Sequence, residues 1–191
     1  MKKLLPVLAV IALASPAFAA LKPGDAAPDF SARASLAGKE FSFSLKDALK
    51  KGPVVVYFYP SAYTKGCDIE AHAFAESADK FAAAKTTIIG VSADSIQRLN
   101  DFSADPAYCA GKFPVASDAD HKIATSYNLN IGAAREGAKD VRGVDIGHGF
   151  IERTTYVIGA NGKIIATLSS KDDGLSPEAH VEKSLEIVSK K

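Results

Sequence analysis

One stretch constrains the fold of this chain more than any other: an apolar run, a proline, a short polar segment and a cysteine where a helical pattern begins. The run Val54–Tyr59 is apolar throughout, which is typical of a strand buried on both faces in a mostly parallel sheet. Pro60 ends the strand, because proline has no N–H group to donate to a sheet ladder. After Gly66 the apolar residues recur at helical spacing, so Cys67 is predicted to lie in a helix's first turn.

The position of Cys67 has a chemical consequence. Unpaired N–H groups and the positive end of the helix dipole favour an anion there, and for a cysteine the anion is the thiolate. The pattern therefore predicts a reactive thiol rather than a packed one. The chain has one other cysteine, Cys109. Two cysteines in an exported protein often form only a structural disulfide, and this alternative stays open from composition alone.

The N-terminus has the pattern of a secretory signal peptide. Lys2 and Lys3 precede the apolar stretch Leu4–Ala14, and Ala17-Phe18-Ala19 supplies the small residues of a cleavage site. A membrane anchor is the alternative, but the stretch is shorter than the ~20 apolar residues that span a bilayer. We expect residues 1–19 to be removed and the protein to be exported to the periplasm.

The expected mature chain, residues 20–191, has the length of one domain. The whole sequence has 23 basic and 22 acidic residues, and removal of Lys2 and Lys3 leaves 21 against 22. A net charge near −1, without a basic run, gives no support for a nucleic-acid or membrane partner.

Strand and helix patterns alternate along the first half of the chain. The run before Pro60 is followed by a helical pattern to about Lys85, then by the apolar run Thr86–Val91 and by Ile96, Leu99 and Phe102 at helical spacing. This order is typical of parallel crossovers and predicts an α/β fold with a central sheet. Other predicted segments are an extended lead-in over 21–37, a strand over 41–45, a short helix over 118–127, a long surface loop over 130–149, a hairpin of 153–158 with 164–168, and a last helix from Ser176.

The spacing Pro60-x-x-x-Thr64-x-x-Cys67, directly after a buried strand, resembles the active-site motif of peroxiredoxins, and Arg153 on a later strand matches their fourth site residue. Tyr57-Phe58-Tyr59-Pro60 and the strand at Arg153 are most similar to the bacterioferritin-comigratory, or Q-type, subfamily. The resemblance covers nearly all of residues 20–191. It implies a thioredoxin-like fold, with a central mixed sheet flanked by helices, and thiol peroxidase activity without a metal or other cofactor.

The residue types fit that chemistry. Peroxide reduction needs a thiolate that attacks one oxygen while the other leaves as an anion, so the site must stabilise negative charge. Cys67 is the candidate nucleophile, the Thr64 hydroxyl can bind the peroxide, and Arg153 offers a fixed set of donors and a permanent charge. Pro60 shields the thiolate from water. The alternatives are that Thr64 only caps the helix and that Arg153 only forms a surface ion pair.

The resemblance implies two further site residues, Glu70 and Cys109. Glu70 lies where similar proteins keep a glutamate that arranges the hydrogen bonds of the site, although it also fits a solvated acid near a helix N-terminus. A sulfenic acid on Cys67 needs a thiol partner, and Cys109 is the candidate resolving cysteine. Many Q-type relatives carry that cysteine five positions after the first, where this chain has His72. A one-cysteine enzyme and a permanent bridge remain alternatives.

If the helix holds Cys67 in its first turn, we expect the Cα atoms of the two cysteines to lie more than about 7 Å apart in the reduced protein, so that a disulfide requires local unwinding near Cys67 and movement of the segment from Pro106 to Gly111. A thiol–disulfide oxidoreductase is a rival function, disfavoured because position 70 is Glu rather than Cys. The expected partners are a peroxide and a thioredoxin-like or other dithiol reductant, and the expected state is a monomer or weak dimer. The four histidines show no metal-ligand spacing, and His148 alone falls close before Arg153.

Overall fold

The strand predicted in front of Pro60 lies inside a seven-stranded sheet. The computed structural model describes residues 19–190, which form nine strands and six helices. In chain order they are β1 (Ser31–Leu36), β2 (Lys39–Ser44), α1 (Leu45–Leu49), β3 (Val54–Phe58), α2 (Lys65–Ala83), β4 (Thr87–Ser92), α3 (Ile96–Ala104), β5 (Val115–Ser117), α4 (Lys122–Ser126), β6 (Ile131–Gly132), β7 (Phe150–Ile151), β8 (Thr154–Ile158), β9 (Ile164–Ser169), α5 (Ser170–Asp173) and α6 (Pro177–Ser189).

The main sheet has the order β2-β1-β5-β4-β3-β8-β9, and β6 pairs with β7 in a separate ribbon. Strand β3 is parallel to β4 and antiparallel to β8, and β4 is parallel to β5. The sheet is therefore mixed, as predicted. Because β3, β4 and β5 run in the same direction, the segments that follow them emerge at one edge of the sheet.

Two hydrophobic cores lie on the two faces of this sheet, because side chains alternate along a strand. Val54, Val56 and Phe58 of β3 join one core, which α1 and α4 cover. Val55 and Tyr57 join the other, which α2, α3 and α6 cover. Every residue of β3 is buried, which confirms the prediction of a strand covered on both faces.

Most predicted elements are present. The helix expected at Cys67 is α2, and it begins two residues earlier, at Lys65. The predicted hairpin is β8 with β9, and Ser176 caps α6 by accepting a hydrogen bond from the Ala179 N–H group.

Several expectations were wrong in detail. The lead-in contains β1, which pairs with both β2 and β5. The predicted strand over 41–45 ends at Ser44, and Leu45 starts the helix α1, where the Ser44 side chain accepts from the Asp47 N–H group. The short strand β5 and helix α5 were not predicted. The predicted signal peptide, residues 1–19, lies outside the described residues except for its last position. No helix within residues 19–190 is long and apolar enough to cross a membrane.

Candidate active site

The turn between β3 and α2 holds Cys67 at the place that the sequence predicts. Thr64 is the residue before the helix, and its carbonyl accepts from the Cys67 N–H group at 2.8 Å. The Thr64 side chain does not cap the helix; its hydroxyl donates to the Ser61 carbonyl at 2.8 Å. The alternative that Thr64 is a plain helix cap is therefore wrong, since its hydroxyl is held in the loop beside Cys67.

Arg153 meets Cys67 across the sheet. It directly precedes β8, the antiparallel neighbour of β3, and its Nη2 donates to the Cys67 sulfur at 3.2 Å. Its Nη1 donates to Glu70 Oε2, one turn along α2 from Cys67. The Arg153 side chain is only 11% exposed, so the alternative of a surface ion pair is also wrong. One guanidinium thus holds a sulfur and a carboxylate that lie three residues apart.

Cys67 is much more enclosed than expected. It is 2% exposed and belongs to the core that α2 and α6 cover, so the expectation that this thiol is not packed is wrong, although Arg153 still contacts its sulfur. Burial raises the pKa of the Cys67 thiol, while the Arg153 charge, the Ser61 backbone and the Thr64 hydroxyl lower it. The enclosed site removes water from the sulfur and at the same time supplies the donors that a thiolate needs.

Glu70 is fully buried, which excludes a solvated helix acid. Burial raises the pKa of Glu70 to about 7, against the lowering effect of Arg153. Its second oxygen, Oε1, has no hydrogen-bond partner among residues 19–190. Burial and the Arg153 charge thus act in opposite directions on the Glu70 carboxyl group, which touches the arginine that contacts Cys67.

A buried acid that the sequence analysis did not identify as a site residue, Asp94, supports the loop before Cys67. Its Oδ2 accepts from the Ala62 N–H group at 2.7 Å, and its Oδ1 accepts from the Ser61 hydroxyl at 2.9 Å. Arg98 Nε lies 2.9 Å from the same Oδ1. His148 Nε2 also lies 2.9 Å from Oδ1, which places this histidine beside the site loop. Burial opposes the ionisation of Asp94, but the hydrogen bonds from His148 and Ala62 hold its pKa below the ordinary value.

A signal for Asp94 was present in the sequence. It follows β4, which is parallel to β3, and acids at the carboxyl ends of neighbouring parallel strands meet at one edge of a sheet. Ser95 caps α3 by accepting from the Arg98 N–H group, whereas Asp94 accepts from the Ala62 N–H group of the site loop.

Cys109 lies in the turn between α3 and β5 and is completely buried. Tyr108 stacks on Phe102 of α3 and meets Tyr63 of the site loop edge-on, with ring centroids 5.3 Å apart in each pair. Cys67 and Cys109 belong to the same apolar core, and both are free thiols. Burial, with the nearby charges of Asp105 and Asp68, raises the pKa of Cys109 well above its ordinary value.

The structure therefore brings Thr64, Cys67, Glu70 and Arg153 into one cluster, and Pro60 lies two residues after the end of β3, in the loop that leads to Cys67. Cys109 belongs to the same core as Tyr63 and Phe102, and Tyr108 packs against that core. Within residues 19–190, no group of three or more His, Cys, Asp and Glu side chains is arranged to hold a metal ion.

Comparison with known proteins gives a consistent result. A model of the AhpC/TSA family matches residues 23–167. The chloroplastic peroxiredoxin Q of Populus jackii is 30% identical over 171 residues, which cover 90% of this chain and 70% of that protein. The crystal structure of peroxidoxin BcpB from Mycobacterium tuberculosis is similar with a TM-score of 0.73 and 28% identity, covering 89% of this chain and 97% of that one. Peroxiredoxin Q of Xanthomonas campestris has the same fold, with a TM-score of 0.62 and 24% identity over 83% of this chain and 89% of that one.

Proposed function

From the premise that the chain belongs to the AhpC/TSA family and is a Q-type peroxiredoxin, we propose that Cys67 reduces hydrogen peroxide and organic hydroperoxides and that Cys109 resolves the product. The observation that carries the proposal is the Arg153 guanidinium, which touches the Cys67 sulfur and the buried Glu70 together. A fixed positive charge at the reacting sulfur is what attack on a peroxide requires.

In the first step the Cys67 thiolate attacks the terminal oxygen of the peroxide. The S–O bond forms, the O–O bond breaks, and the second oxygen leaves as hydroxide or alkoxide and takes up a proton. Arg153 stabilises the negative charge on sulfur and on the leaving oxygen, and the Thr64 hydroxyl, held 2.8 Å from the Ser61 carbonyl, orients the peroxide. Pro60 adds no N–H group that would compete for the oxygens. Glu70 keeps Arg153 in place.

In the second step the sulfenic acid on Cys67 condenses with the Cys109 thiol, which forms a disulfide and releases water. Because Cys67 and Cys109 are buried in two different segments and are unbridged, we propose that the first turn of α2 and the turn that carries Cys109 loosen before the sulfurs bond. A thioredoxin-like or other dithiol then reduces the disulfide.

Three proteins test this assignment: the unaltered chain, Cys67→Ser and Cys109→Ser. Peroxide consumption with a dithiol reductant is measured, and the cysteine products are identified by mass spectrometry. Cys67→Ser is expected to lose peroxidase activity; if it keeps full activity, the assignment is wrong. Cys109→Ser is expected to accumulate overoxidised Cys67. A Cys109→Ser protein that turns over normally, without overoxidation, would instead favour a one-cysteine mechanism with an external thiol.

We also propose that the protein is exported, on the lysines, apolar stretch and small residues of its first 19 positions. Expression of the full chain in a Gram-negative host, followed by cell fractionation and intact mass measurement, tests this. A periplasmic product that begins near Ala20 is expected, and a cytoplasmic product that retains Lys2 and Lys3 would contradict it.

A further inference from the structure

The two halves of the site come from different parts of the fold. Cys67 follows the loop after β3, whereas Arg153 lies between β7 of the separate ribbon and β8 of the main sheet. Among residues 19–190 the β6–β7 ribbon shares no strand pairing with the main sheet. The segment just before Arg153 therefore depends on contacts outside the sheet for its position.

His148, two residues before β7, supplies such a contact. Its Nδ1 lies 2.8 Å from the Gly149 carbonyl oxygen, and its Nε2 lies 2.9 Å from Asp94 Oδ1. The same Asp94 carboxylate accepts from the Ser61 hydroxyl and from the Ala62 N–H group, in the loop after β3. One imidazole ring thus connects the ribbon with the loop that presents the nucleophile.

The hydrogen-bond partners of the ring determine its charge. Gly149 contributes a carbonyl oxygen, which only accepts, so Nδ1 has to donate to it. Asp94 is fully buried, accepts from the Ala62 N–H group at 2.7 Å and has Arg98 Nε 2.9 Å from its Oδ1, which is the environment of an ionised carboxylate. A carboxylate also only accepts, so Nε2 of His148 has to donate as well. A histidine ring that donates from both nitrogens is an imidazolium cation.

Resting on the proposed peroxidase function, we propose that His148 is a positioning residue for the first step, which as an imidazolium holds the segment before Arg153 against the loop before Cys67. The cation donates to both acceptors at once. A neutral ring has one N–H group, so it donates either to the Gly149 carbonyl or to Asp94, and its lone pair then faces the other oxygen. Deprotonation therefore releases one side of the contact.

The contact lies close to the groups that act on the peroxide. At one end, the Ser61 carbonyl accepts from the Thr64 hydroxyl at 2.8 Å. At the other end, the chain runs from His148 through β7 to Arg153, whose Nη2 donates to the Cys67 sulfur. A displacement at the contact therefore moves the hydroxyl that orients the peroxide relative to the guanidinium that holds the sulfur, and reaction rates are sensitive to such displacements.

The charged groups around the ring favour the cation on balance. Burial lowers the pKa of His148, whereas its hydrogen bonds to Asp94 and to the adjacent carbonyl, together with the Asp94 charge, raise it above the ordinary value. The charge of Arg98, from α3, opposes them. On another side the ring meets Phe150 of β7, with ring centroids 6.2 Å apart, and the Arg135 guanidinium lies over that phenylalanine. The His148 side chain is 18% exposed, so it can exchange its proton with solvent.

Nitrogen NMR of the unaltered protein with isotope-labelled histidine measures the charge of the ring without any variant. The His148 ring is identified by its proximity to Phe150. It is expected to carry protons on both nitrogens at about pH 6 and to titrate above about pH 6.5, the ordinary midpoint of a histidine. A neutral ring at about pH 6 would overturn the proposal.

The effect on the first step is measured as the rate of sulfenic acid formation, by rapid quenching and mass spectrometry, divided by the thiolate fraction of Cys67 from its absorbance. Below the His148 midpoint, His148→Gln is expected to be about five- to tenfold slower than the unaltered protein, since a misplacement of about 1 Å can cost roughly 10²-fold. The ratio of the two rates is expected to fall toward one as pH rises past that midpoint. Glu70 titrates in both proteins, so its effect cancels in the ratio.

His72→Gln is the matched control, because His72 lies on α2 with Cys67 but pairs with Glu76 through a half-exposed side chain. Its rate is expected to equal that of the unaltered protein at every pH. A ratio for His148→Gln that stays constant across the His148 titration would show a merely structural role and overturn the proposal, as would a ratio of one throughout. Failure of the unaltered protein to form sulfenic acid would refute the peroxidase assignment instead.

Discussion

At the scale of single residues, the chemistry of Cys67 depends on two opposed effects. Burial to 2% exposure favours the neutral thiol, and the Arg153 contact at 3.2 Å favours the thiolate. Glu70 adds to the first effect through its charge, and burial raises its own pKa to about 7. The arginine is therefore the group on which ionisation of the sulfur chiefly depends.

Arg153→Met is expected to slow sulfenic acid formation by about ten- to a hundredfold, because a hydrogen bond to a charged group contributes roughly 1.5–3 kcal/mol. The thiolate absorbance of Cys67, titrated against pH, is expected to shift to higher pH. Rapid-quench measurement of the first step gives the rate.

The single variant also leaves Glu70 buried without its partner, which lowers stability. The double variant Arg153→Met/Glu70→Gln removes that second effect. We expect it to unfold at a higher urea concentration than the single variant while its first step stays slow. If the double variant recovers the full rate, Arg153 acts only by neutralising Glu70.

At the scale of elements, the site is built where β3 and β4 end. Asp94, after β4, holds Ser61 and Ala62 after β3, and Arg98 of α3 donates to both the Ala62 carbonyl and Asp140. This network connects the site loop to the long loop over 130–149. The predicted surface loop thus has a specific contact with the site.

Asp94→Asn is expected to lower the free energy of unfolding by about 2–3 kcal/mol, since at least one buried charge-assisted hydrogen bond is lost. Urea denaturation measures the change. Asp101→Asn, on the exposed face of α3, is the control and should stay within about 0.5 kcal/mol of the unaltered protein. Equal midpoints for the two variants would show that the site loop does not depend on Asp94.

At the scale of the whole molecule, two buried groups oppose each other in the pH dependence of stability. Burial, helped by Arg153, lowers the pKa of His180 to about 4, so the folded state loses stability as pH falls below about 6.5. The pKa of Glu70 is raised to about 7, so the folded state loses stability as pH rises from about 4.5 to about 7. Between about pH 4.5 and pH 6.5 the two groups change the free energy of unfolding in opposite directions, so their effects offset each other.

The variant His180→Gln removes the histidine's contribution to the pH dependence of stability and so tests whether the two groups offset each other. The stability difference between the unaltered protein and the variant is expected to shrink by up to about 3 kcal/mol from pH 7 to pH 4.5, because only the unaltered protein resists protonation of a buried histidine. Urea unfolding at several pH values measures it. His72→Gln, with a half-exposed side chain, is the control. Parallel stability curves for the unaltered protein and His180→Gln would contradict the interpretation.

The elements that local patterns specify were predictable. Four local signals act through neighbouring residues: the apolar run before Pro60, Cys67 at the onset of helical spacing, the turn pair Asn161-Gly162 and the helix start Ser176-Pro177-Glu178. The elements β3, α2, β8 with β9, and α6 follow from them. The three-residue strand β5 and the five-residue helix α1 were not predictable in this way, because so short a segment shows no period.

By itself, the sequence determined that a cysteine starts a helix behind a buried strand, and the motif around it indicated which distant arginine to expect. Only the tertiary structure decided how deeply Cys67 is buried, that Glu70 is a buried partner of Arg153 and not a solvated acid, and that Asp94 and His148 support the site loop. Arg153 and Glu70 are 83 positions apart, and His148 and Asp94 are 54 apart. Capping and periodicity act over a few residues, whereas desolvation and ion pairing depend on which surfaces the sheet brings together.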